Sequence, residues 1–259
     1  MTKSQPPTLS VSNLSIGYTS AVIAENIDFS LSEGELAAIV GINGIGKSTL
    51  LRTLGHVQPA LGGKILIAGK PLKEYSHVQL ASRVSLVLTE PVASKNMTVL
   101  ELIALGRQPY TNWLGRLSAA DRTKVGEAIG MLELEALQHR KCFELSDGQL
   151  QRVLIARALA QDTAIILLDE PTTHLDLYHK VQILKLLKSI ADQTGKSILF
   201  TSHEIEMAIQ LCDKMLLVNG TDNPFGQPCK LIEQRAFHDL FPADTVSFDA
   251  STGAFRIKK

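Results

Sequence analysis

The nonapeptide GINGIGKST, residues 41–49, sets three glycines ahead of a lysine and two hydroxyls. Glycines at such positions let backbone amides converge on an anion, and a helix beginning at the lysine adds the positive end of its dipole. Lys47 can reach β- and γ-phosphates, and the Ser48 hydroxyl can ligate Mg²⁺. Gly41, Asn43, Gly44, Gly46, Lys47, Ser48 and Thr49 are therefore candidates for holding ATP. The second half of such a site is an acid at the end of an apolar strand, and AIILLDE supplies Asp169 and Glu170. Asp169 is placed to hold Mg²⁺, directly or through water, and Glu170 to orient and polarise an attacking water. Adjacent carboxylates also start helices, but Pro171 and the matching glycine loop argue against that here. A nucleoside triphosphatase follows from the two stretches together.

Particular elements must position these groups. LSVSNLSIGY, ENIDFSL and ELAAIVG have the texture of strands, the last running into the glycine loop, and KSTLLRTLGH follows as a helix. GGKILIAG and RVSLVLT predict two more strands. Between residues 92 and 160 the texture becomes helical. TVLELIALGR and SAADRTKVGEAIGMLELEAL carry helical spacing, the second opening on a capping box at Ser118 and Asp121. Strands return as AIILLDE, SILFTSH and KMLLVNG, apolar throughout, as parallel strands covered on both faces by helices should be. DTVSFDASTGAFRIKK alternates about a Ser-Thr-Gly turn and predicts a terminal hairpin.

Charge and composition exclude several classes. Lys plus Arg and Asp plus Glu each number 26, so no broad basic surface calls for nucleic acid. No apolar run is long enough to span a membrane, and MTKSQPPTLS lacks a signal-peptide core. Three cysteines, Cys142, Cys212 and Cys229, lack metal-ligand spacing and are expected to be reduced thiols of an intracellular protein.

LSDGQ, residues 145–149, precedes the helical LQRVLIARALAQ. Ser-Asp-Gly before a helix is by itself an ordinary N-cap. Here it lies some twenty residues before the acidic strand, and a glycine-bearing helix start also offers free amides to an anion. The order GINGIGKST, LSDGQLQR, AIILLDEPTTHLD, FTSH resembles the nucleotide-binding subunits of ATP-binding-cassette (ABC) transporters over about residues 9–240. The resemblance implies an α/β fold: a P-loop NTPase core with a mixed β-sheet and flanking helices, an inserted α-helical subdomain, and here a C-terminal hairpin. Its implied boundaries are residues 1–91 and 161–243 for the core, a RecA-like part plus an antiparallel β part, 92–160 for the helical subdomain and 244–259 for the hairpin.

In that family two copies sandwich two ATPs head to tail across a two-fold interface. Ser146, Gly148 and Gln149 would then meet the γ-phosphate bound by the other copy. Tyr18 resembles the aromatic residue stacked on adenine, and His203 the switch histidine linking the γ-phosphate to Glu170. Asp176 matches the loop through which one copy senses the other. Asp147 stands where the family has a glycine, and is expected to point to solvent.

The resemblance also implies partners. A cassette with no membrane span needs separate permease subunits and, indirectly, a solute-binding protein, at the cytoplasmic face of the plasma membrane. ALGRQPYTNWLGRLSAADRTKV is similar to a segment of importers of iron–siderophore complexes, haem and cobalamin. Within it, Trp113 and Leu114 either face a partner or cap the helical subdomain. The alternatives are a soluble single-cassette ATPase of iron–sulfur assembly and a regulatory module that binds ATP without hydrolysing it. Intact Glu170 and His203 argue against the latter.

One stretch departs from the pattern. LVLTEP, residues 86–91, ends a strand where the family places a glutamine that ligates Mg²⁺ and marks the hinge to the helical subdomain. Thr89 takes that position, or Glu90 if the match slips by one. Thr89 is expected to act on the metal through a water; Glu90 would bring a further charge beside Asp169 and Glu170.

Overall fold

A computed structural model describes residues 6–19, 21–90, 96–220, 222–241 and 246–257. Pro91, expected to stop the strand at LVLTEP, lies outside them, as do Asp244, Thr245, Lys258 and Lys259 at the ends of the expected hairpin. Along the chain, β1 (Leu9–Tyr18), β2 (Ala21–Leu31) and β3 (Leu36–Val40) precede α1 (Lys47–Leu54). Then β4 (Gly62–Ile67), β5 (Lys70–Pro71) and α2 (His77–Ala81) lead to β6 (Val84–Val87). Helices α3 (Val99–Ala104), α4 (Ala119–Met131) and α5 (Asp147–Ala160) follow, then β7 (Ile165–Leu168), α6 (Leu177–Thr194) and β8 (Ser197–Ser202). The chain finishes with α7 (Ile205–Leu211), β9 (Lys214–Leu217), β10 (Phe225–Gly226), α8 (Pro228–Glu233) and the pair β11 (Val246–Asp249) and β12 (Ala254–Ile257).

The central sheet runs β10-β9-β3-β8-β7-β6, parallel except for β10. Its strands are mostly apolar because both faces are buried, and the side chains divide by period two. Leu36, Ala38, Val40, Ile166 and Leu168 join one apolar cluster with α3–α7, while Ala37, Ile39, Ile165 and Leu167 join another. The second face is covered by α1 and by the antiparallel sheet β2-β1-β4-β5, where the apolar runs taken alone predict helices and the family resemblance implies an antiparallel part. The first cluster runs unbroken from the sheet into α3, α4 and α5.

The helical region is shorter-stepped than the spacing predicts. α3 gives way at Leu105–Tyr110 to a 3-10 segment containing Pro109, which has no amide to continue an α-helix. α4 ends at Met131 because Glu133 takes a left-handed backbone (φ 54°), and a separate 3-10 turn spans Glu135–Leu137. The capping box at Ser118 and Asp121 is present. Asp121 also accepts the Arg107 Nε proton at 2.9 Å, both side chains being more than nine-tenths buried, and Arg107 Nη1 donates to the Ala160 carbonyl at 2.8 Å. A Cβ on Gly106 would lie 2.2 Å from the Arg157 carbonyl oxygen, so only glycine lets this turn meet α5. Gly106, Arg107 and Asp121 of the segment likened to importer sequences therefore serve as internal bracing.

β6 closes the sheet on one side. The Gln161 amide, just beyond α5, donates to the carbonyls of Ala81 (2.7 Å) and Val84 (3.1 Å). At the far end of the chain, β11 and β12 form the expected hairpin about Ser251–Gly253. Its Phe248 stacks on Phe237 with centroids 4.8 Å apart, and the Phe255 amide donates to Glu206 at 2.9 Å.

Asp121→Ala should cost about 3 kcal/mol in urea unfolding, because Arg107 would be left buried without its charge partner. The hydroxyl and amide of Ser118, and then Arg107, hold the Asp121 carboxyl below its usual range. Its stabilisation is thus complete above the unfolded carboxylate pKa of ~3.9 and is lost as pH falls through the lower folded value. The difference between parent and Asp121→Ala stability should shrink correspondingly in acid.

Candidate functional site

The carboxyl ends of four neighbouring parallel strands bring the candidates together, the usual place for ligands in such sheets. β3 delivers residues 41–46, β8 delivers His203, β7 delivers Asp169 and Glu170, and β6 delivers Thr89. The β6–β7 register sets Val87 opposite Leu168, with the Asp169 amide donating to the Val87 carbonyl at 2.8 Å, so Thr89 arrives beside Asp169.

The glycine loop folds as its composition predicts. Gly46, at the N-cap of α1, has φ 104°, and a Cβ there would come 2.5 Å from Ile23 Cγ2. A Cβ on Gly44 would meet nothing within 4 Å, leaving that side open to a ligand. Lys47 is 95% buried and its ammonium donates to the loop's own carbonyls, Gly41 at 2.9 Å and Ile42 at 3.1 Å. Burial lowers its pKa; the negative charges of Glu170 and Asp169 work the other way.

Asp169 is buried and receives three hydroxyls. Ser48 donates to Oδ1 at 2.9 Å, Thr201 to Oδ1 at 2.7 Å, and Thr89 to Oδ2 at 3.0 Å, with the Asp169 carbonyl 3.3 Å from the same Thr89 oxygen. The proton directions are constrained, since Thr201 Oγ1 accepts the Glu170 amide at 2.8 Å and must turn its own proton to Asp169. That bond also helps hold Glu170 at φ 46°, a conformation costing a non-glycine residue on the order of 1 kcal/mol. Ser48 and Asp169 make an all-oxygen pair suited to a hard cation completed by phosphate oxygens and water, so the residues present fit Mg²⁺.

Glu170 Oε2 accepts from Thr173 at 2.9 Å and lies 4.0 Å from His203 Nδ1, beyond hydrogen-bonding reach. The other nitrogen of His203 faces Glu204 Oε1 at 3.4 Å, and Glu204 pairs with Lys180 of α6. Thr201, Thr173 and Glu204 belong to this constellation and were not singled out from sequence. Thr201 carried a signal, a hydroxyl inside an otherwise apolar buried strand.

Glu90, the alternative to Thr89 for the metal, has a partner on another element. Its carboxylate is exposed and pairs with Arg52 Nη2 of α1 at 3.1 Å. Ser146 does cap α5, accepting the Gln149 amide at 3.3 Å while Gln149 Oε1 accepts the Ser146 amide at 3.1 Å. Gly148 lies against α6, where an added Cβ would sit 3.4 Å from the His179 ring. Asp147 is exposed, yet it lines a cavity of about 140 Å³ together with Thr89, Glu90, Asp169 and Glu170 of the same chain. Asp176 caps α6, taking the His179 amide at 2.9 Å and ring Nδ1 at 2.8 Å; these bonds hold its carboxyl below the ordinary range. Tyr18 is 54% exposed, its ring free to stack. Asn43 and Thr49 lie on the loop and in the first turn of α1.

On the helical region a groove of about 640 Å³ is lined by Met97, Glu101, Leu105, Gln108, Leu117 and Lys141. Nearby in sequence, Trp113 is 92% exposed and Leu114 52%, so Trp113 does not cap the helices.

A family model described as ABC transporter matches residues 24–173. The achromobactin transport ATP-binding protein of Dickeya dadantii is 37% identical over 232 residues, covering 89% of this chain and 86% of that protein. The chain belongs to the ABC transporter family. The iron(3+)-hydroxamate import ATP-binding protein of Bacillus subtilis is 35% identical over 237 residues, covering 91% of this chain and 88% of the relative. A dimeric ATP-binding cassette solved in a post-hydrolysis state with ADP and Pi matches at TM-score 0.69 and 28% identity, covering 81% of this chain and 94% of that one. This ABC cassette is an ATPase, and it has the α/β P-loop fold expected of the family.

Gly46→Ala should destabilise the chain by about 1–3 kcal/mol, since φ 104° and the Ile23 contact both oppose a methyl group. Urea unfolding would measure this, and nucleotide affinity should fall with it.

Proposed function

We propose that this cassette is the ATP-hydrolysing subunit of an importer of iron chelates, working through separate membrane permease subunits. The observation that carries the hydrolytic part is the set of contacts among Ser48, Asp169, Thr201 and Glu170 at the ends of β3, β7 and β8. The import names of the relatives support the transport part and favour it over iron–sulfur assembly.

Lys47, released from the Gly41 and Ile42 carbonyls, would turn to the β- and γ-phosphates, which replace those two acceptors with charged ones. The amides of residues 41–46 and the start of α1 add to this cradle, and Tyr18 stacks on adenine. Ser48 and Asp169 would hold Mg²⁺, which when bound offsets charge on the phosphate oxygens. The Ser48 proton points at Asp169, leaving its lone pairs for the cation. Glu170 orients and polarises the attacking water; attack at the γ-phosphorus breaks the bond to the bridging oxygen and leaves ADP and phosphate. His203 has to move by only about a bond length to reach Glu170 from 4.0 Å, a closing motion that a γ-phosphate could drive.

Two copies are proposed to pair head to tail, Ser146 and Gly148 of one facing the nucleotide of the other, with Gln149 beside them and Asp176 at the contact. The dimeric relative bound to ADP and Pi supports this arrangement. Residues 1–91 and 161–243 then serve as the nucleotide-binding core and 92–160 as the lobe on which the permease rides, through the Met97–Leu117 groove and exposed Trp113. Residues 244–259 form an appended hairpin. The assembly would sit at the cytoplasmic face of the plasma membrane, fed by a solute-binding protein. Among the described residues no helix is long and apolar enough to cross a membrane.

Glu170→Gln should lower ATP turnover at least ~10²-fold while ATP still binds, as other deletions of groups acting on the transition state do. Phosphate release and equilibrium ATP binding measure the two halves; unchanged turnover would overturn the assignment.

A further inference from the structure

The residue that replaces the family's usual glutamine makes a contact of its own. Thr89 Oγ1 lies 3.0 Å from Asp169 Oδ2 and 3.3 Å from the Asp169 carbonyl. Asp169 Oδ1 is taken by Ser48 and Thr201, and among the described residues the Thr89 hydroxyl is the side-chain donor to Oδ2 of the buried carboxylate. A buried carboxylate is oriented by such donors, and one that loses a donor gains freedom to rotate. The adjacent residue grips a different element: Glu90 pairs with Arg52 of α1. Two consecutive residues leading toward the helical lobe thus hold the two halves of the site, the acidic strand and the phosphate-loop helix.

We infer that Thr89 is a positioning residue which orients the Asp169 carboxylate through Oδ2 and is not itself a metal ligand. The inference rests on the reading above that Ser48 and Asp169 hold Mg²⁺. The short side chain delivers its proton to Oδ2 and keeps Oδ1 turned toward Ser48. In place of a metal-mediated link between lobe and core, this chain has a direct hydrogen bond from the hinge to the carboxylate. Groups that orient a ligand typically change metal affinity 10- to 100-fold when removed.

The test measures how much Mg²⁺ tightens binding of a fluorescent ATP analogue, MANT-ATP, by comparing affinities in EDTA and in Mg²⁺. All proteins carry Glu170→Gln so that the nucleotide stays intact. Thr89→Val keeps the shape and loses the hydroxyl; it should leave the affinity in EDTA unchanged and reduce the tightening by Mg²⁺ about tenfold. Thr89→Ser, which restores a donor, should return the tightening to within about twofold of the parent. A purely structural role for Thr89 would lower the affinity in EDTA as well, and that result overturns the inference. So does Thr89→Val tightening like the parent, or Thr89→Gln tightening more than the parent, which would make position 89 a ligand position. A parent that binds MANT-ATP with no response to Mg²⁺ would overturn the metal reading of Ser48 and Asp169 and this inference with it.

Discussion

A carboxylate that is 95% buried must be solvated by the protein around it, and the arrangement of hydroxyls about Asp169 does that. Its three donors come from three elements: Ser48 from α1, Thr201 from β8 and Thr89 from the end of β6. None of these could reach it unless β3, β8, β7 and β6 were adjacent and in register, so the strand order of the sheet and the chemistry of the site are a single constraint. The same group fixes its neighbour. Thr201 passes its proton to Asp169 and takes the amide of Glu170, holding that residue in a backbone conformation it would otherwise avoid. The pair of acids is in effect one hydrogen-bonded unit.

Charge balance follows from this geometry. Lys47 is buried and is pulled two ways, burial disfavouring its charge and the two acids favouring it. Its bonds to the Gly41 and Ile42 carbonyls are partners of partial charge, which a phosphate improves on. The loop is thus prepared for an anion by its cation as well as by its amides. At the edge of the site the charges are paired more loosely, Glu90 with Arg52 and His203 beside Glu204, as suits groups that move in a cycle.

Short motifs with fixed geometry were legible in the sequence, and long-range side-chain partners were not. Gly46 and Lys47 could be placed because a strand–glycine loop–helix unit leaves the backbone few choices. Ser118 and Asp121 could be paired because a capping box is local. By contrast, nothing in the spacing shows that Arg107 reaches back to Asp121, or that the Glu90 carboxylate prefers Arg52 to the cation side. Both depend on which helices meet, which the sheet order decides. The antiparallel sheet covering one face of the parallel one is implied by the family resemblance and not by the apolar runs themselves, because strands buried on both faces look the same whether a helix or a sheet lies over them. Thr201 lay in the motif that contains His203 and was passed over, because a hydroxyl inside a buried strand announces a partner without naming it.

The position of β6 in the sheet has a mechanical and a colloidal consequence. It is four residues long and bonded to another strand, β7, on one side only. An edge strand can shift by disturbing a single ladder, so the segment joining lobe to core is the cheapest part of the parallel sheet to displace. Its free side is also where a strand of another molecule would add. The Gln161 amide, anchored on the Ala81 carbonyl of α2, also bonds the Val84 carbonyl and so occupies an acceptor of β6 that such a strand would need. The chain thereby keeps a strand loose enough to travel without leaving it sticky enough to aggregate.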